Sequence, residues 1–248
     1  MKFFVTLLLT CLSLNSWALN ILQIGDSHTV GSFGESLYHE LKNNLNTKKL
    51  RSIGLAGSSG KHWSAANKLD RTLRYGYIDR PKMKKILPTG TVDQLSNTIN
   101  QEKPDVLIIE LSDNFAGYSL KKSYAALARE EIQKILTQIS LSKKKPTECF
   151  WIGPSWTDKE NNPYKKTNAR AQEIAKIIET QIAGRCTFID SLKIIKKSEL
   201  TTTSDGLHFD KKSGELWGKR SYQDILKKSK LLNQTISSPS TVRTKFIN

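Results

Sequence analysis

Short apolar runs alternate with helix-like stretches along most of the chain, and this alternation limits the fold more than any other feature. The clearest run is DVLIIEL at 105–111, which is apolar enough for a strand buried on both faces. Other strand-like runs occupy 19–24, 50–55, 149–152 and 186–189, and helical spacing occurs at 33–45, 92–101, 124–141, 168–182 and 214–228. Strands that alternate with helices predict an α/β fold in three layers, α/β/α, around a parallel sheet.

The first 18 residues follow the plan of a signal peptide. Lys2 precedes an apolar run at 3–14, and Ser16-Trp17-Ala18 forms a small-x-small cleavage site. An apolar run of about 12 residues is short for a bilayer span, so we expect cleavage after Ala18 and no stable membrane insertion afterwards. An uncleaved anchor is the alternative. The expected product is periplasmic or secreted, with one domain at 19–232, a flexible Ser/Thr-rich tail at 233–248 and an oligomeric state left open.

The charge is strongly positive, with 39 Lys and Arg against 23 Asp and Glu. For an exported protein this favours an anionic envelope polymer or lipid head group as partner, and not nucleic acid. The alternative is that the lysines serve only solubility. A non-periodic insert at 61–90 concentrates the charge, with two acids, interleaved Trp63, Tyr75 and Tyr77, and eight basic residues: Lys61, Lys68, Arg71, Arg74, Arg80, Lys82, Lys84 and Lys85.

Cys149 and Cys186 each open a strand-like run and are the two cysteines that remain after the leader. In an oxidising compartment a disulfide between them is plausible. Two buried free thiols are the equally weighted alternative. Two cysteines cannot form a structural zinc site by themselves.

Ser27 is the candidate nucleophile, because it follows the first strand in Gly25-Asp26-Ser27-His28. Sites in open parallel sheets form beyond the carboxyl ends of the strands, where a following helix offers backbone N–H donors. The alternative for this tripeptide alone is a simple helix cap. A serine also needs a base, and Asp205-Gly206-Leu207-His208 places a carboxylate three residues before a histidine on a turn.

The oxyanion of an acyl transfer needs donors, and candidates follow the next strands. Gly57 follows the second strand, Asn114 follows the third, and the N–H of Ser27 would be a further donor. For Asn114 alone, capping a turn is the alternative. Four such signals at successive strand ends favour a catalytic site.

These blocks resemble the SGNH/GDSL hydrolase family across nearly the whole chain after the leader. Gly25-Asp26-Ser27 matches the first block with His28 in place of leucine, Gly57 the second, Asn114 the third, and Asp205 with His208 the last. Ser112 and Phe115 flank Asp113-Asn114 where the family has Gly-x-Asn-Asp. The resemblance implies a flavodoxin-like sheet and a serine esterase without metal or cofactor. The G-x-S-x-G and H-E-x-x-H motifs of other hydrolases are absent from the sequence.

The expected function is removal of O-acetyl groups from an envelope polysaccharide such as peptidoglycan, through an acyl-serine. The expected substrate is an acylated, anionic glycan, contacted by Trp63, Arg71, Arg74, Tyr75 and Trp156. The alternatives are a carbohydrate O-acetyltransferase, which the GDSH spelling also resembles, and a non-catalytic glycan-binding protein. A lipid esterase is less favoured because no large apolar insert is evident.

Overall fold

The computed structural model describes residues 18–65, 67–68, 76–82, 91–117 and 123–236. The strands are β1 (Leu19–Gly25), β2 (Thr47–Leu55), β3 (Asn67–Lys68), β4 (Tyr77–Arg80), β5 (Thr91–Val92), β6 (Val106–Glu110), β7 (Glu148–Ile152) and β8 (Thr187–Ile189). The helices are α1 (Ser27–Val30), α2 (Ser32–Asn44), α3 (Gly60–Trp63), α4 (Leu95–Glu102), α5 (Asp113–Gly117), α6 (Tyr124–Leu141), α7 (Asn168–Ile182), α8 (Ser191–Ile194), α9 (Lys211–Lys228) and α10 (Lys230–Asn233), with a 3-10 turn at Lys197–Glu199.

Six strands form the main sheet in the order β4-β2-β1-β6-β7-β8. Neighbouring strands are parallel from β2 to β8, whereas β4 pairs antiparallel with β2. The predicted parallel sheet is therefore confirmed for five of its six strands, and β4 adds one antiparallel strand at this edge. In the sequence, the charged Asp79 makes β4 look like a loop. In the fold its carboxylate is buried because it accepts two hydrogen bonds, of 2.8 and 2.7 Å, from Arg51 on β2.

Helices cover both faces of the sheet, which confirms the three-layer prediction. On one face α2 packs against α9, and Phe33, Leu37 and Trp217 are buried between them and the sheet. On the other face α4, α6 and α7 bury residues such as Ile132 and Ile178. Because each fully buried side chain of this size contributes about 1.5–3 kcal/mol, these two cores hold the strand ends in register.

The disulfide left open by the sequence is present between Cys149 on β7 and Cys186 just before β8, with an S–S distance of 2.03 Å. Because β7 and β8 are adjacent and parallel, the two sulfurs meet although 37 positions of sequence separate the cysteines. The predicted flexible tail lies partly inside the described chain, where Thr235 is buried and Ile236 pairs with Leu45. Residues 237–248 and most of the predicted signal peptide lie outside the described residues.

Among the helices of the described residues, none has the length and apolar character that a membrane span requires. The same residues contain no cluster of His, Cys, Asp and Glu side chains with the geometry to hold a metal ion.

Candidate active site

Ser27 is the first residue of α1, directly beyond the carboxyl end of β1. The Asp26 side chain caps this short helix by accepting the backbone N–H of His28 at 2.9 Å. Gly25 is required for the sharp connection, since a Cβ there would lie 1.9 Å from Thr29 Oγ1 and 2.6 Å from the Glu110 carbonyl oxygen. The helix that carries Ser27 thus rests directly on the ends of two strands.

His208 and Asp205 lie on the turn before α9 and complete a hydrogen-bonded chain to Ser27. The Ser27 Oγ lies 2.8 Å from His208 Nε2, and His208 Nδ1 lies 2.6 Å from Asp205 Oδ2. Because a carboxylate only accepts hydrogen bonds, this geometry places the proton on Nδ1 and leaves Nε2 to accept the serine hydroxyl. The structure thus brings together the three side chains that the sequence selected.

Backbone N–H groups of the same turn hold the Asp205 carboxylate in place. Its Oδ1 accepts the backbone N–H groups of Leu207 and His208, each at 2.9 Å. Burial opposes ionisation, but the hydrogen bonds from the His208 side chain and from these two N–H groups keep the pKa of Asp205 below its ordinary value. Asp205 therefore remains an ionised acceptor that orients the imidazole.

Asn114 and Gly57 lie where the loops after β6 and β2 converge. The Asn114 amide Nδ2 donates to Asp26 Oδ2 at 3.0 Å and to the Ser58 carbonyl oxygen at 2.9 Å, so both of its hydrogens have protein partners. Gly57 adopts a φ of 74°, in the left-handed region that favours glycine. Asn114 thereby ties the Ser27 loop to the Gly57 loop, and it can donate to an oxyanion only by sharing or exchanging one of these bonds.

A cavity of about 200 Å³ opens beside these two residues. Phe115 and Leu127 give it an apolar part, while the Glu131 and His62 side chains line the remainder. This space begins at the residues predicted to hold the oxyanion, whereas Ser27 and His208 line a separate, smaller cavity of about 40 Å³.

Neither a family model nor a curated protein matches the sequence. Among solved structures, the chain is similar to a lipase/acylhydrolase from Enterococcus faecalis, with 18% identity, a TM-score of 0.54, and coverage of 84% of this chain and 95% of that one. A carbohydrate acetylesterase family member from Sinorhizobium meliloti matches with 16% identity, a TM-score of 0.57, and coverage of 87% and 100%. An acetylxylan esterase from Geobacillus stearothermophilus, as a catalytic mutant, matches with 14% identity, a TM-score of 0.50, and coverage of 84% and 94%. The protein has the SGNH hydrolase fold.

Beneath the SGNH site lies a buried ion cluster, which we define as His28, Asp113 and Lys166. Asp113 lies 2.8 Å from Lys166 Nζ and 2.9 Å from His28 Nε2, and all three side chains are buried. Ser155 adds its backbone N–H at 3.0 Å and its hydroxyl at 2.8 Å to the same carboxylate. Although burial opposes ionisation, Lys166 and His28 hold the pKa of Asp113 below its ordinary value.

This cluster supports His208 through ring contacts. The His28 ring lies 5.4 Å from the His208 ring and 5.2 Å from the Trp217 ring, measured between centroids. His28 occupies the position where the SGNH/GDSL motif has leucine. It packs against His208 and is itself held by Asp113. Sequence reasoning missed Lys166 entirely, because nothing in Lys165-Lys166-Thr167 distinguishes a buried lysine from an exposed one.

A second buried group lies behind Ser27. Glu110, fully buried at the end of β6, accepts a hydrogen bond from Thr29 Oγ1 at 3.2 Å. Burial raises its pKa well above the ordinary value, and the neighbouring Asp26 and Asp113 raise it further. Burial also raises the pKa of Asp26, where His28 opposes the rise. Glu110 therefore keeps its proton, and the negative charge under α1 stays limited.

The predicted aromatic contacts of the insert are wrong where the structure describes them. Trp63 is 0% exposed and donates its indole N–H to Ser58 Oγ at 3.2 Å, so it cannot stack on a sugar. Tyr77, another interleaved aromatic of the insert, is buried in the same core. Tyr77 packs inward because it lies on β4 at the edge of the sheet, whereas Trp63 lies on α3. Arg71, Arg74 and Tyr75 lie outside the described residues.

Arg80 likewise does not contribute to a positively charged surface of the insert. It is buried, and its guanidinium donates to the carbonyl oxygens of Thr29 at 3.0 Å and Val30 at 3.1 Å. It therefore fixes the carboxyl end of the helix that carries Ser27. Trp156 is half-buried and donates its indole N–H to the carbonyl oxygens of Leu192 and Ile195, so packing is its visible role, and its contact with substrate stays a prediction.

Proposed function

We propose that the protein is an exported serine esterase that removes O-acetyl groups from an envelope polysaccharide, with peptidoglycan as the first candidate. The observation that carries the proposal is the chain of hydrogen bonds from Ser27 through His208 to Asp205, at 2.8 and 2.6 Å. A serine aligned with an oriented imidazole is the arrangement that nucleophilic acyl transfer needs.

In the first half-reaction, Ser27 Oγ attacks the acetyl carbonyl carbon as its proton moves to His208 Nε2. The carbonyl oxygen becomes an oxyanion, for which the N–H groups of Ser27 and Gly57 and the Asn114 amide are the candidate donors. The bond to the sugar oxygen then breaks, His208 returns the proton to that oxygen, and an acetyl-serine remains. In the second half-reaction water attacks the acetyl-serine with His208 as base, and acetate leaves.

The cavity beside Gly57 and Asn114 supports a short acyl group. Its volume is about 200 Å³, and the Glu131 carboxylate lines it along with the apolar Phe115 and Leu127. The space is small for a long alkyl chain, and the Glu131 carboxylate in its wall is held by the Lys61 N–H and by Lys134 Nζ. A carbohydrate acetylesterase and an acetylxylan esterase among the proteins of similar fold are consistent with a sugar acetate as substrate.

The leader pattern supports export, and the Cys149–Cys186 disulfide is consistent with an oxidising compartment. The positive charge favours an anionic polymer over a neutral one.

The decisive experiment measures acetate release from O-acetylated peptidoglycan and hydrolysis of a nitrophenyl ester series from acetate to palmitate. We expect acetate release and a preference for the shortest ester. Ser27→Ala is the matched control, and it should abolish both activities by several orders of magnitude while leaving the unfolding midpoint unchanged. Residual activity within about tenfold of wild type would falsify the serine mechanism. Acetyl appearing on an added acceptor glycan would instead identify a transferase.

A further inference from the structure

The chemistry of the site separates the two parts of the ester. The acyl carbonyl must face the oxyanion donors near Gly57 and Asn114. The leaving sugar oxygen must lie within hydrogen-bonding reach of His208 Nε2, since this atom returns the proton. The alcohol part of the substrate therefore lies on the His208 side of Ser27.

On the His208 side the structure offers an aromatic residue outside the predicted insert. The Tyr164 ring lies 6.4 Å from the His208 ring between centroids, nearly perpendicular to it at 89°. Unlike His28, which is buried on another side of the same imidazole, Tyr164 is only half-buried. Part of Tyr164 is therefore exposed beside the proton donor His208.

The turn around Tyr164 is rigid. Asn162 accepts the Lys165 N–H through its carbonyl oxygen at 3.0 Å and donates its side-chain amide to the Lys166 carbonyl oxygen at 2.7 Å. Lys165 has a φ of 56°, a left-handed conformation that costs a non-glycine residue about 1–2 kcal/mol. Lys166 then enters the buried ion cluster. Such strain persists only where the surroundings determine the conformation, so Tyr164 is held in place from both sides.

The same loop, residues 154–167, is fastened to the turn that carries Asp205 and His208. Thr157 Oγ1 donates to the Gly206 carbonyl oxygen and Lys159 Nζ to the Thr203 carbonyl oxygen, both at 2.8 Å. Gly206 must be glycine here, because its φ is 69° and a Cβ would lie 2.5 Å from the Asn162 Cβ. Tyr164 and His208 therefore belong to one connected unit, and a ligand that binds beside them orders little additional protein.

We propose that Tyr164 is a glycan-binding residue whose ring stacks on the pyranose ring that carries the scissile O-acetyl group. The proposal rests on the proposed function, and it assigns sugar recognition to the loop after β7 in place of Trp63 in the insert. A preordered aromatic ring suits this ligand because a sugar presents an apolar face of C–H groups together with hydroxyls at its edge.

The test compares Tyr164→Ala and Tyr164→Leu, which remove the flat ring, with Tyr164→Phe and Tyr164→Trp, which keep it. Leucine is the matched control for apolar bulk. For the first pair we expect kcat/KM on O-acetylated glycan to fall by about tenfold or more, mainly through KM, with nitrophenyl acetate hydrolysis within about twofold of wild type. The ring-retaining pair should resemble wild type on both substrates.

Two results would overturn the proposal. One is Tyr164→Leu acting on glycan as well as wild type. The other is an equal loss on both substrates in every variant, which would mean that the ring positions His208 and does not bind sugar.

A binding measurement separates this proposal from the proposed function. In the Ser27→Ala background, calorimetric titration with a soluble O-acetylated oligosaccharide should give a Kd about tenfold higher when Tyr164 is also replaced by leucine. If wild type hydrolyses no ester yet this difference appears, the esterase proposal fails while sugar binding at Tyr164 stands. An unchanged Kd overturns the role of Tyr164 whatever the esterase result.

Discussion

Lys166 is a fully buried lysine whose replacement tests the ion cluster beneath the active site. In Lys166→Met the flexible apolar side chain fills most of the space of the lysine stem, so the change is mainly the loss of the ammonium group 2.8 Å from Asp113. Removing one partner of a buried ion pair costs about 3–5 kcal/mol, because the other charge is left without compensation. Asp113 keeps its bonds from Ser155 and its contact with His28. We therefore expect the lower end, about 3 kcal/mol.

The assay is unfolding in urea at pH 7, monitored by tryptophan fluorescence. For a domain of this size a loss of about 3 kcal/mol corresponds to a fall in Tm of about 6–12 °C. Lys166→Met/Asp113→Asn removes both charges, and it should recover at least about half of the loss, since no unpaired carboxylate remains.

The pH dependence gives a second check with a defined sign. The pKa of Asp113 is depressed in the folded state, so its stabilising contribution is present above the unfolded value of 3.8 and is lost as the pH falls towards the folded value. The stability difference between wild type and Lys166→Met should therefore narrow below about pH 4. A loss under about 1 kcal/mol at pH 7, or a double variant that loses the sum of the single losses, would refute the reasoning.

Three further predictions concern other parts of the site and fold. Glu110→Gln should stabilise the protein at pH 7, because the raised pKa of Glu110 makes folding take up a proton; urea titrations should show the gain shrinking as the pH falls towards the unfolded value of 4.5 and absent below it, and an equal gain at pH 3 would contradict it. Asn114→Ala should lower kcat by about 10²–10³ in the nitrophenyl acetate assay if the amide exchanges a partner for the oxyanion, and an unchanged kcat would leave it only the loop-bridging role. Denatured protein without the leader should show no thiol in a colorimetric titration until Cys149–Cys186 is reduced, and two thiols before reduction would be incompatible with the disulfide.

Predictions that rested on local patterns were confirmed. The helices at Tyr124–Leu141 and Asn168–Ile182 have the predicted limits, and the apolar run at 105–111 contains β6. Periodicity of this kind reports which side of an element is buried, and it depends on neighbours only a few residues away. The Asp205–His208 contact is local in the same sense, because three residues and a glycine turn suffice to bring the carboxylate to Nδ1.

The sequence by itself therefore determined the order of the elements, the three-layer class and the residues selected for the catalytic chain. Only the tertiary structure decided which charges and rings are buried. Lys166 meets Asp113 and Arg80 meets Thr29 across 53 and 51 positions of sequence, and Trp63 packs beneath a sheet edge that β4 completes. A buried charge is tolerated only where a partner compensates its lost hydration. Those partners come from distant segments of the chain. The sequence alone therefore does not distinguish a buried lysine, arginine or tryptophan from an exposed one.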